Sequence, residues 1–155
     1  YLEGTWDIGS LSRTAWIDYG VNEYPRAAGS YSGSNYIYNH ELGDTDDGSA
    51  MTSFIESADF DLDPAGEQFM FLTRLIPDID ITSGTSATVD YIIKTRDYPG
   101  DTLATNSTNS VSSTTQQAFL RARARQAAIR IESSSADIAW TLGDLRLEAR
   151  PDGKR

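Results

Sequence analysis

The chain contains no cysteine, a single histidine and two methionines, and no apolar run approaches the length of a membrane span. Each scarcity closes off a class of function. Without cysteine there is no disulfide framework, no thiolate nucleophile and no cysteine-based zinc site. Such a chain suits a reducing compartment, although extracellular life is also open to it. No signal-peptide pattern is visible. Positive charge is also scarce. Thirteen Lys and Arg face 23 Asp and Glu, a net charge of −10, and the pI is near 4.4. An acidic surface repels DNA phosphates at long range. It argues against a sequence-reading DNA-binding domain, which needs a concentrated basic footprint. It leaves room for a surface that DNA slides past.

The 155 residues suffice for one domain with a real core. The chain starts at Tyr1 rather than Met, which points to a fragment or a processed piece. What is present favours strands: tyrosine, serine and threonine are frequent, and apolar residues recur at period two. "GTWDIGSLSRTAWIDYG" sets Trp6 and Trp16 between glycines, and Trp6 and Trp140 are assigned to the core. "SNYIYNHE" puts Tyr36 and Tyr38 on one side and Ile37 on the other. "TSFIESADFDLD" alternates apolar and acidic residues, "EQFMFLTRLIPDIDI" is broken at Pro77, and "SATVDYIIKTRDYPG" ends at Pro99-Gly100. Residues 101–117 are polar and nearly uncharged. They read as a long surface loop with one edge strand near Val111. Three further segments suggest a closing β-meander. The expected fold is all-β: a single antiparallel β-sandwich or jelly-roll-like domain of about eight short strands.

"LRARARQAAIRIES", residues 120–133, is the one basic stripe. Residues 1–120 hold eighteen acids and five bases, whereas residues 121–155 hold five acids and eight bases. At helical spacing Arg121, Arg123 and Arg125 would spread around the cylinder; at strand spacing they share a face. Ile129 and Ile131 have the same odd parity. One unbroken strand would therefore mix arginine with isoleucine on one face. This predicts a bulge or bend near Gln126-Ala127 that swaps faces. The arginines then form either a solvated, salt-bridging strand face or a contact with a neighbouring subunit. In an acidic protein an inter-subunit salt bridge is favoured over DNA.

No constellation selects a chemistry. His40 sits in "YNHELGDTDDG", which reads as an acidic turn and not as a metal site. "DFDLDPAGEQ" spaces Asp59, Asp61 and Asp63 as a calcium loop would. However, the sixth position is Pro64 and the twelfth is Met70, so the EF-hand is rejected. The carboxylates have no spacing that marks a glycosidase pair, and there is no nucleophile elbow or phosphate loop. The "NST" at Asn106 is a formal glycosylation triplet of a kind that arises by chance in Ser/Thr-rich segments. The expectation is a non-enzyme with no catalytic, cofactor-binding or metal residues.

"LSRTAWIDYG", "YNHELGDTDDGSAMTSFIES", "GEQFMFLTRLIPD", "IIKTRDYPGD", "RARARQAAIRIES" and "AWTLGDLRLEARPDGKR" occur in that order over most of the chain. Together they resemble the C-terminal region of the nozzle or tubular tail proteins of short-tailed bacteriophages. The Arg-rich strand and the "LGDLRLEARPDG" ending carry most of the likeness, although such endings usually have glycine where this chain has Ala124. The resemblance implies a virion structural protein of the phage tail. It implies a homo-oligomeric ring, typically a hexamer, below portal and adaptor proteins, through which packaged DNA is retained and later ejected. It also implies that Tyr1 follows a longer N-terminal portion. Under it Arg121, Arg123, Arg125, Trp16, Tyr36 and Tyr38 become candidate subunit-interface residues. Two other readings stand beside it: a receptor- or glycan-binding β-sandwich module, suggested by the aromatics and the polar 101–117 stretch, and a glycan-degrading enzyme.

Overall fold

Period-two alternation and a wealth of β-branched and aromatic residues give strands almost everywhere. A computed structural model describes residues 12–63, 65–82 and 87–154. Among the described residues there is no helix, and fourteen strands are present, eight of them six residues or longer. The all-β, antiparallel expectation therefore holds. The remaining strands are two to four residues long, and several of them, Ser53–Glu56 and Ile79–Ile81 among them, fall in segments whose sequence already reads as extended. The sequence suggests one domain; the contacts within the chain divide it into two compact units, Tyr1–Ser49 and Ala50–Arg155. Trp6 lies outside the described residues.

In the first unit β1 (Ala15–Ile17), β2 (Arg26–Tyr31) and β3 (Ser34–Asn39) make a three-stranded antiparallel sheet with β2 in the middle. Ser32 and Gly33 join β2 to β3, both with positive φ (49° and 81°). That backbone is the two-residue hairpin whose twist matches the strands it joins. β4 (Thr45–Asp46) and β5 (Ser49–Ala50) form a second tight hairpin where this unit ends.

The second unit continues with β6 (Ser53–Glu56), β7 (Met70–Ile76), β8 (Ile79–Ile81), β9 (Val89–Arg96) and β10 (Ala104–Val111). It closes with β11 (Ala118–Ala124), β12 (Gln126–Ser133), β13 (Trp140–Leu142) and β14 (Arg146–Pro151). One sheet has the order β10-β9-β12-β6 and another the order β11-β7-β14, while β13 pairs with β8. The first sheet turns Val89, Tyr91, Ile93, Val111, Ala127, Ile129 and Ile131 inward. The second turns in Met70, Leu72, Leu75, Leu120 and Ala122, and together they form one core. This is a sandwich: two inner faces interdigitate while the alternate residues face water. Trp140 is half-buried at the rim of that core, its Nε1 donating to Ser53 Oγ at 2.9 Å.

On the outer face of the four-stranded sheet Glu56 accepts from Lys94 (2.8 Å) and Arg130 (3.0 Å), and Arg130 also reaches Glu132 (2.5 Å). Hydrogen bonds from Lys94 and then Arg130 hold the Glu56 carboxyl below the usual range. These cross-strand ladders tie β6, β12 and β9 together on a wet surface, where each pair contributes little.

Three expectations need correction or refinement. In the stretch 101–117 the edge strand expected near Val111 is present but takes up much of the expected loop: it runs over Ala104–Val111, paired with β9. Its inward positions are Ser107, Asn109 and Val111, so only one of them carries the apolar signal of a strand. The closing segments are not a meander either, because β11 and β14 flank β7, β12 joins β9, and β13 joins β8. Local turn residues mark where strands end, not which strands pair. The bend in the arginine stretch is present one residue early: β11 ends at Ala124, β12 starts at Gln126, and the chain leaves one sheet for the other at Arg125.

Candidate functional site

The change of sheet at Arg125 determines where the arginines point. In β11 the even positions Leu120, Ala122 and Ala124 are buried; in β12 it is the odd positions Ala127, Ile129 and Ile131. The odd positions of β11 are therefore free to face water. They are Phe119, Arg121 and Arg123, and Phe119 is 73% exposed.

Across the three-stranded sheet Arg123 stands beside Phe71 and Phe71 beside Arg150; in the next row Phe119 stands beside Arg74 and Arg74 beside Glu148. The register slips at Thr73 on both sides, with one extra β11 residue between Phe119 and Ala122. Such a bulge bends the strand and parts the neighbouring side chains. The opening is a shallow groove lined by Phe71, Thr73, Phe119, Leu120 and Arg121. Guanidinium groups frame it. Arg150 lies over the Phe71 ring at 5.2 Å, and Arg123 lies over Phe69 at 4.0 Å while pairing with Asp152 at 2.6 Å. Arg74 Nε approaches Glu148 at 2.9 Å. Arg125 turns along the sheet end and donates to the carbonyls of Glu67 (2.7 Å), Gly66 (3.3 Å) and Lys154 (3.3 Å). Arg123 and Arg125 are thus bound within their own chain, whereas Arg121, Arg146 and Arg150 have no ion-pair partner among the described residues.

The other sequence-named residues gather in the first unit. Trp16, Ala27 and Tyr38 stand in one row across β1, β2 and β3, with Gly29 and Tyr36 on the same face two residues on. Small residues on β2 leave a floor between aromatic walls. Trp16 is 48% exposed, its ring 4.4 Å from that of His40. Arg13 lies 4.0 Å over Tyr38 and donates to His40 Nε2 at 3.0 Å. Tyr36 and Tyr38 are 5.9 Å apart. Tyr19 donates to Glu41, and that hydrogen bond holds the Tyr19 phenol above its ordinary range. His40 is thus a packing and hydrogen-bonding partner of Arg13 and Trp16. Among the described residues no group of three or more His, Cys, Asp or Glu is placed to hold a metal ion.

Gly29 sets the height of this floor. A Cβ there would sit 2.8 Å from the Ser12 carbonyl oxygen, 3.3 Å from the Tyr38 ring and 3.4 Å from the Arg13 guanidinium. Gly29→Ala should destabilise the first unit by about 1–3 kcal/mol. Faster hydrogen exchange of the β2 and β3 amides would report it, and unchanged protection would refute it.

The six sequence-named residues therefore fall into two groups, three on each unit. Sequence reasoning missed Phe71, Thr73 and Phe119. Phe119 did carry a signal, because it shares the odd parity of the arginines. Phe71 and Thr73 did not, because only strand pairing brings β7 beside β11. No protein-family model matches the chain, and no curated protein matches it.

Proposed function

We propose that the chain is a non-enzymatic virion structural protein: a subunit of the nozzle or tube of a short-tailed bacteriophage tail. The observation that carries this reading is the ordered set of motifs along the chain, above all the Arg-rich strand followed by "AWTLGDLRLEARPDGKR". In this reading the subunits form a homo-oligomeric ring, a hexamer as in the family it resembles, with portal and adaptor proteins as neighbours. DNA passes without lasting contact. The charge balance supports that role: a conduit that gripped phosphates would retard passage, and a net charge of −10 disfavours the grip. The Arg/Phe face of the β11–β7–β14 sheet supports subunit contact, since a strand face bearing an exposed phenylalanine and two arginines, Arg121 and Arg150, with no ion-pair partner among the described residues suits another protein surface. Electron microscopy of intact virions should place the protein in a ring around the tail axis; a peripheral fibre position, or absence from virions, rejects the reading.

A second reading has its own observation. Trp16 and Tyr36 stand half-exposed on one face of the first unit's sheet, over the buried Ala27 and Gly29 of β2. Exposed aromatic rings on one sheet face suit stacking with a sugar ring, as in a receptor- or glycan-binding module. Binding on a glycan array that Trp16→Ala abolishes would favour it, and an empty array would remove it.

A further inference from the structure

We propose that the Arg/Phe face of the β11–β7–β14 sheet receives the acidic loop tip Asp61–Asp63 of a second copy of this chain. The inference rests on the reading of the chain as a self-assembling subunit and names the partner surface for that face.

Three observations carry it. First, the face is incomplete by itself. The groove between Phe71 and Phe119 is open, and Arg121 and Arg150 at its rim lack ion-pair partners among the described residues. Second, the same unit displays the complementary chemistry elsewhere. Phe60 is tied to Ala127 by a two-way backbone bridge, with N–H···O distances of 2.8 and 3.0 Å. Beyond that anchor the chain turns out into Asp61–Leu62–Asp63. Leu62 is 44% exposed, and a carboxylate stands on each side of it. The Asp63 carboxylate accepts from the Ala65 and Glu67 N–H groups (3.1 and 3.3 Å), which fixes the loop's shape in advance. An apolar tip flanked by carboxylates matches an apolar groove flanked by guanidiniums. Third, the balance of charge selects the occupant. Residues 1–120 hold eighteen acids against five bases, a surface that repels a dense polyanion yet supplies acidic loops for a basic face.

Face and loop are different surfaces, so the contact is heterologous: each copy offers one of each. That gives a diagnostic test on the full 155-residue chain. Sedimentation velocity should show concentration-dependent self-association that weakens at high salt. Arg121→Glu and Asp61→Arg, with Phe119→Ser as a third variant, should each raise the concentration for half-association at least tenfold, about 1.4 kcal/mol. Their circular dichroism should stay that of the wild type. Mixing Phe119→Ser with Asp61→Arg should restore a dimer that grows no further, because one intact face then meets one intact loop while the truncated face, still carrying Arg121, repels the loop altered by Asp61→Arg.

A wild-type chain that stays monomeric, variants that associate as wild type does, or a mixture that fails to pair would each overturn the proposal. So would tight binding of a homopolymeric single-stranded oligonucleotide, lost in Arg121→Glu, without self-association; the occupant would then be nucleic acid. A ring in virions with failed mixing rejects this contact and leaves the proposed function standing. Successful mixing with no ring in virions does the reverse.

Discussion

Ala122→Arg should prevent the second unit from folding, whereas Arg121→Ala, one residue away, should change its stability by less than about 0.5 kcal/mol. The two positions sit in the same strand, but Ala122 is fully buried in the core and Arg121 faces water. An arginine at 122 brings an unpaired charge into a region filled by Leu72, Leu120, Ile129 and Ile131. The cost of burying such a charge is several kcal/mol. Overpacking adds roughly 1–3 kcal/mol. Total stabilities of small domains are about 5–15 kcal/mol, so the sum reaches the scale of the whole. Far-UV circular dichroism and urea titration of the 155-residue chain would measure both variants. A wild-type midpoint for Ala122→Arg would show that the facing of β11 is misassigned, and with it the Arg/Phe face.

That contrast also marks how far the sequence is readable. The parity conflict between Arg121, Arg123 and Arg125 on one side and Ile129 and Ile131 on the other is a purely local pattern, and it predicts a face swap within two residues of the observed break. The β7 break at Pro77 and the alternation of Tyr36, Ile37 and Tyr38 are equally local. What the pattern does not contain is pairing. Turn residues separate the β11–β12 stretch from β13 and β13 from β14, and parity alone marks the break between β11 and β12, but β12 bonds to β9, thirty or more residues earlier, and β14 to β7, seventy or more earlier. The groove at Thr73 depends on those long-range pairings, so Phe71 and Thr73 are invisible in the sequence as surface partners of Phe119. β10 shows in the sequence only at its Val111 end, for a different reason. An edge strand has a solvent face on one side, and here two of its three inward positions are polar, Ser107 and Asn109. Hydrophobic periodicity cannot report a strand whose core face is itself hydrophilic.

Those polar inward positions lead to the second large effect, an alkaline limb of stability set by Tyr91. Tyr91 lies opposite Asn109 on β10 and Ile131 on β12, and its side chain is fully buried. Its hydroxyl, Asn109 Nδ2 and Ser107 Oγ have no hydrogen-bond partner among the described residues. Burial first, and the negative charge of Asp78 second, push the Tyr91 phenol up from 10.0 to about 12. The folded state thus holds this proton more tightly than the unfolded chain does. As pH rises from 10 towards 12 the unfolded state ionises first, so stability falls across that window and is fully present below it. A difference of that size between folded and unfolded chain corresponds to roughly 3 kcal/mol. Tyr91→Phe should remove this loss. Near neutral pH the same change deletes an unpaired buried hydroxyl without opening the core. It should leave stability unchanged or raise it by about 1 kcal/mol. Urea midpoints measured at pH 7 and at steps between pH 10 and 12 would test both parts. An alkaline limb of equal depth in Tyr91→Phe would assign the loss to other groups, and a clear loss of stability at pH 7 would mean that the hydroxyl has a partner in solution.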